Sequence, residues 1–133
     1  VKRKRTPKQK AMDEADKWFS LYIRLKNADW RGYCTCYTCD KVAMYNEGMQ
    51  NGHFVSRGSH NLRFEEKNCR VQCVGCNVYK NGNYIQYTLR LIKEKGKPFV
   101  NRLIKSGKET KTLMEEDLLK IADKYKKLVK KMQ

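Results

Sequence analysis

A small α+β domain, with a zinc-stabilised core carried between N- and C-terminal helices, is the fold class this sequence predicts. Three observations lead there. Two C-x2-C pairs, Cys36/Cys39 in CYTC and Cys73/Cys76 in CVGC, have the spacing of metal knuckles. Apolar residues recur at helical spacing near both ends of the chain. Between about Gly32 and Val55 that period is absent, and turn and short-strand signals replace it. A length of 133 residues suits one domain with a modest core. Its expected parts are a basic leader and N-terminal helix over 1–31, a zinc-knuckle core over 32–95 and a helical extension over 96–133.

Thr6-Pro7 reads as a cap followed by proline at the first helical position, and Ala11, Ala15, Trp18, Tyr22 and Leu25 then form one apolar stripe to about Asn27. The knuckle CYTC leads into small ribbons: KVAMY, turns at NEG and QNG, and a strand at HFV. RGSHN reads as a loop, LRFEEKN as the way back, and CRVQC as the strand entering the second knuckle. The chain turns helical from Asn77, meets a corner at Asn81-Gly82-Asn83, and continues as YIQYTLRLIKEK until Gly96. Pro98 opens a short helix stopped near Gly107. Thr112 with Glu115 makes a capping box for the last helix, whose stripe is Leu118, Ile121, Ala122, Tyr125, Leu128, Val129 and Met132. Its opposite face is rich in lysine. The stripe can bury itself in its own fold, pair with a second copy to form a homodimer, or lie on a membrane. The first is the expectation, because helices gain most of their stability from tertiary packing.

Six cysteines without a secretory signal, four of them in C-x2-C pairs, predict a metal site in a cytoplasmic protein rather than disulfides. Two such turns supply the four thiolates that Zn2+ takes in a structural site. Cys34 can compete with Cys36 for the first knuckle; otherwise Cys34 and Cys69 are small buried hydrophobes. Thirty basic residues against 14 acidic ones give a net charge of +16, which calls for a polyanion. DNA and RNA fit; a membrane fits poorly, since no long apolar span is present.

His53, Asn68 and Asn77 lie between and beside the knuckles, where a shared metal can draw them together. Taken in order, CYTC, NGHFVSR, LRFEEKN, VQCVGCNVYKNGN and QYTLRLI give the stretch from Cys36 to about Leu103 a specific pattern. It resembles the NinG/Rap family of lambdoid phage recombination nucleases, a branch of the HNH or ββα-metal endonucleases. The resemblance implies a ββα-metal core and hydrolysis of DNA phosphodiesters in a bacterial host's cytoplasm, with branched recombination intermediates such as Holliday junctions favoured. It makes His53 the general base, has Asn68 orient the imidazole through the backbone or its amide, and has Asn77 help hold a catalytic Mg2+ or Mn2+. One departure stands out. Many such enzymes carry aspartate directly before the histidine, where this chain has Gly52, preceded by Gln50 and Asn51. The further cation ligand is then expected from Glu47, His60, Glu65 or Glu66.

Arg57, Arg63, Arg70 and Lys80 are the candidates for gripping the phosphate backbone. Arg63 and Arg70 can instead pair internally with Glu65 or Glu66. The rival reading is a non-catalytic zinc module that binds DNA or RNA.

Overall fold

Helix α1 (Pro7–Lys26) starts at a reciprocal cap: the Thr6 hydroxyl accepts from the Gln9 N–H at 3.1 Å, and the Gln9 side chain accepts from the Thr6 N–H at 2.8 Å. The computed structural model describes residues 3–133; Val1 and Lys2, the start of the expected basic leader, lie outside it. The buried face of α1 is Ala11, Ala15, Phe19 and Ile23, which corrects the expected stripe through Trp18, Tyr22 and Leu25. An unbroken i, i+4 series faces the core more directly than the mixed steps through the larger aromatics. Trp18 sits on its flank, donating to Glu14 at 3.2 Å and covered by Lys17 and Lys126.

Two short antiparallel hairpins follow. Strands β1 (Tyr33–Thr35) and β2 (Val42–Met44) pair with Cys34 opposite Ala43, so the first knuckle forms the hairpin tip. Strands β3 (Met49–His53) and β4 (Cys69–Cys73) pair with His53 opposite Cys69 and Met49 opposite Cys73. The QNG segment expected as a turn is therefore strand interior, and the strand expected at HFV ends on His53. The turn lies one step earlier, at Gly48, whose φ is 79°.

Gly52 is needed for space. A Cβ there would overlap Oε1 of Gln72 and lie 2.6 Å from its Cδ. Gln72 cannot withdraw easily, because it is fully buried and its Nε2 donates to Thr38 at 3.1 Å and to the Gly82 carbonyl at 2.8 Å. The residue before His53 thus cannot be aspartate without displacing a buried side chain. Gly52→Ala is expected to destabilise the fold by about 1–3 kcal/mol, read as a lower urea midpoint at unchanged slope.

Between β3 and β4, the RGSHN segment expected as a loop is helical from His60: α2 (His60–Arg63) is anchored to the distant helix α4 (Lys97–Gly107). Ser59 donates to the Gly107 carbonyl at 2.9 Å, and the Asn61 amide donates to the Ser106 carbonyl and, at 3.0 Å, to its hydroxyl. A 3-10 turn (Glu66–Asn68) then leads into β4.

Past the second knuckle the chain makes a single π-helical turn (Gly75–Tyr79) and the expected corner, where Asn81, Gly82 and Asn83 all have positive φ. Helix α3 (Tyr84–Lys95) braces the hairpin from outside: Tyr87 is fully buried and donates to the Gly52 carbonyl at 2.8 Å.

The last helix, α5 (Glu115–Met132), begins where the Met114 N–H donates to Asp117 at 3.0 Å, so the expected box at Thr112 and Glu115 is displaced by two residues. Its Leu118, Ala122, Tyr125 and Val129 are buried, and Phe19 of α1 meets the Tyr125 ring edge-on at 4.9 Å between centroids. Most of the expected stripe is thus covered within the same chain, while Met132 at its end stays exposed. Leu118 packs with Ala11, Ala15 and Leu113. Leu118→Ala is expected to cost about 2–5 kcal/mol in thermal or chemical denaturation. No helix among the described residues is long and apolar enough to cross a membrane.

The molecule is thus a small α+β fold of two short hairpins with flanking helices, and its β3–β4 hairpin with the following helical turn is a ββα-type core.

Candidate functional site

The hairpin tip and the end of β4 bring four thiols together. The Sγ atoms of Cys36, Cys39, Cys73 and Cys76 all lie within 4.8 Å of one another, and Cys39 and Cys73 are 3.6 Å apart. A tetrahedral zinc with Zn–S of about 2.3 Å needs sulfurs about 3.8 Å apart, so the donor set fits. Burial opposes a Cys36 thiolate, but the Thr38 hydroxyl and the N–H groups of Cys73, Thr38 and Cys39 outweigh it and bring that thiol down to about 6. Burial and the neighbouring sulfurs push Cys39 up to about 12. Holding all four sulfurs as thiolates this close together would require a cation among them. Cys34 stands apart, donating to the Arg24 carbonyl at 3.2 Å. Cys69 is buried in the core, and its burial pushes the thiol up to about 12.

Beside this cluster, β3 opens onto a cleft of about 730 Å3. Three segments wall it: Asp16, Phe19 and Ser20 of α1; Gln50, Asn51 and His53 of β3 with Ser56 and Arg57 beyond; and Asn77, Val78, Asn81, Gly82 and Tyr84 around the π turn. His53 is half-buried, and its Nε2 lies 2.8 Å from the carbonyl oxygen of Arg63. A carbonyl can only accept, so Nε2 carries the proton and Nδ1 is the free acceptor. Burial, with help from Arg57 and Arg63, lowers the His53 pKa below its ordinary 6.5, although the Arg63 carbonyl and Asp16 work against that. The ring is neutral at pH 7.

Asn77 lines the same cleft and donates to Gln50 at 2.7 Å, which leaves its Oδ1 for other partners. Asn68 does not line it. Fully buried behind the strand, its side chain accepts from the Val55 N–H at 2.9 Å and donates to the carbonyls of Val55 and Leu62. It therefore touches the backbone after His53 and beside Arg63 rather than the imidazole.

The carboxylates and imidazole expected to complete a cation site lie elsewhere. Glu47 is exposed on the turn before β3, His60 and Glu65 line a different, smaller groove, and Glu66 binds Lys26 at 3.1 Å and Tyr125 at 3.4 Å. The acidic side chain in the His53 cleft, among the described residues, is Asp16. Sequence reasoning missed it, as helix α1 carried no chemical motif there. Gln50 and Asn51 were missed as lining residues too, although their place just before His53 was a signal. Asn51 keeps its buried Oδ1 without a hydrogen-bond partner.

Of the expected phosphate contacts, Arg57 lines the cleft and Lys80 is exposed after the π turn. Arg63 and Arg70 are engaged internally, but not with Glu65 or Glu66. Arg63 grips Asp16, while Arg70 donates to the carbonyls of Lys67 and Cys69, stacks on Tyr37 and reaches Glu94 at 4.0 Å.

A family model described as "Bacteriophage Lambda NinG protein" matches residues 1–133. Protein ninG of Escherichia phage 933W is 27% identical over 128 residues, covering 96% of this chain and 60% of its own length. Protein ninG of Salmonella phage P22 is 27% identical over 111 residues, covering 83% and 52%; that of Escherichia phage lambda is 26% identical over the same length, with the same coverage. The chain thus spans 60% or less of the length of these relatives. No solved structure matches it. The resemblance first visible between Cys36 and Leu103 extends through both terminal helices, and with a match from first residue to last the chain belongs to the NinG family.

Proposed function

We propose that this chain is a metal-dependent DNA endonuclease, stabilised by a structural zinc on Cys36, Cys39, Cys73 and Cys76, in which His53 is the general base. The supporting observation is the His53 ring: its Nε2–H is spent on the Arg63 carbonyl, so a neutral Nδ1 is left at an open cleft. In the proposed reaction Nδ1 takes a proton from water as the water oxygen bonds to phosphorus, and the P–O3′ bond breaks. The 3′ oxygen is protonated from solvent, leaving 5′-phosphate and 3′-hydroxyl ends, and His53 returns its proton to water. In this reading Arg57, at the cleft, and Lys80, exposed beyond the π turn, hold phosphate oxygens without reading sequence.

The cleft also offers an oxygen donor suited to a hard cation, the Oδ1 of Asn77. Mg2+ or Mn2+ held there would supply positive charge for the transition state and the leaving oxygen. Branched recombination intermediates are the substrates this reading favours.

Nicking of supercoiled plasmid across a panel of divalent cations, with a chelator control, tests the reading. Rates on linear duplex, flap and four-way junction DNA then grade structure selectivity. Because Gly52 replaces the usual aspartate and Asp16 is already held by arginines, a non-catalytic zinc module for DNA or RNA is the second reading. It gains support if salt-sensitive binding persists and no cation yields nicks.

The pH dependence has a defined sign. The base works only when neutral, and its folded pKa is lowered, so cleavage is expected to be high at pH 7 and to fall as pH drops through a midpoint under 6.5. A midpoint above 7 in single-turnover rates contradicts the assignment.

A further inference from the structure

Asp16 has no part in the reaction above, yet its surroundings are unusual. Arg63 holds its carboxylate in a fork, with Nε donating to Oδ1 at 2.9 Å and Nη2 to Oδ2 at 2.5 Å. Arg57 approaches the same Oδ2 at 3.7 Å. The fork is well shielded, the two side chains being 15% and 20% exposed. A carboxylate gripped by one guanidinium group and approached by a second is a poor ligand for a further cation.

What sets the pair apart is the other end of Arg63. Its backbone carbonyl is the group that accepts from His53 Nε2. Arg63 is also the last residue of α2, and its Nη1 donates to the Arg57 carbonyl at 3.3 Å. The side chain thus pulls on α1 while the main chain holds the imidazole.

We propose that Asp16 is a positioning residue: by clamping Arg63 from α1 it presses the Arg63 carbonyl against His53 Nε2, and so fixes the ring with Nδ1 turned to the cleft. The part concerning cleavage rests on the function proposed above; the part concerning the ring does not. Two opposite consequences separate this role from a simple charge effect. Without Asp16 the ring loses its brace, which slows the chemical step. The freed Arg63 meanwhile becomes available to phosphates and Arg57 loses a competing carboxylate, which strengthens DNA binding.

The test compares wild type, Asp16→Asn and Asp16→Glu in the full chain. With only two histidines present, the Nε2–H proton of His53 is assigned in NMR spectra by its loss in His53→Ala. The expected result is a protected Nε2–H signal in wild type that exchanges away in Asp16→Asn. Plasmid nicking by that variant then falls about 10- to 100-fold at saturating protein, with plasmid affinity equal or higher, and Asp16→Glu recovers much of the rate. An unchanged signal and rate, or faster cleavage, overturns the proposal. If Asp16→Asn does not fold, Arg63→Lys, which keeps the charge but loses the fork, takes its place: the same losses of signal and rate are expected, and their absence overturns the proposal. If wild type does not nick DNA, the endonuclease reading fails, and the imidazole signal alone decides the role of Asp16.

Discussion

His53→Ala is expected to slow plasmid nicking by about 100- to 10,000-fold, the range that a positioned general base contributes, while leaving affinity for DNA nearly unchanged. Geometry and charge both lead to this result. His53 lies at the end of β3, its ring is neutral, and its protonated nitrogen is committed to the Arg63 carbonyl. Removing the ring takes away the acceptor but not Arg57 or Lys80, so the backbone is still held. His60 serves as the control. It lies in the groove beside α5 rather than in the cleft, so His60→Ala is expected to cleave at the wild-type rate. Nicking by the His53→Ala protein at that rate would remove His53 from the mechanism.

Cys73→Ala is expected to abolish the fold rather than trim activity. Metal binding at a structural zinc site contributes on the order of 10–16 kcal/mol, at least as much as the about 5–15 kcal/mol by which a typical domain is stable. Cys73 ends β4 and pairs with Met49, so it couples the cluster directly to the strand carrying His53. Its Sγ also accepts the Cys76 N–H at 3.4 Å, which shapes the second knuckle. The measurement is near-UV circular dichroism with bound zinc counted on the same sample. Cys34→Ala, at a buried thiol outside the cluster, is expected to retain its zinc.

The parts of the fold legible in the sequence were those set by local chemistry. C-x2-C turns, the Asn-Gly-Asn corner, the Gly96 stop and the terminal stripe each depend on a few neighbouring residues, and each lies where its pattern placed it. Side-chain partners set by tertiary approach were not legible. Asp16 meets Arg63 only because α1 crosses over β3, and no spacing in the sequence encodes that crossing. The large rings of Trp18 and Tyr22 draw the apparent stripe of α1 to one side, whereas Phe19 and Ile23 face β3 and α5 together. QNG carries the composition of a turn but lies in a strand, because Gly52 is chosen there for the Gln72 side chain that fills the place of its Cβ. The missing aspartate before His53 is thus a packing fact. It was visible as a departure, but its cause required the register of β3 on β4.

On the proposed reading, fold and cleft alike depend on a metal ion joining the tip of the first hairpin to the end of β4. Elemental analysis of the native chain tests this directly: about one zinc per chain is expected, released by chelator only as the tertiary signal is lost. A zinc-free protein that keeps the same fold would contradict it.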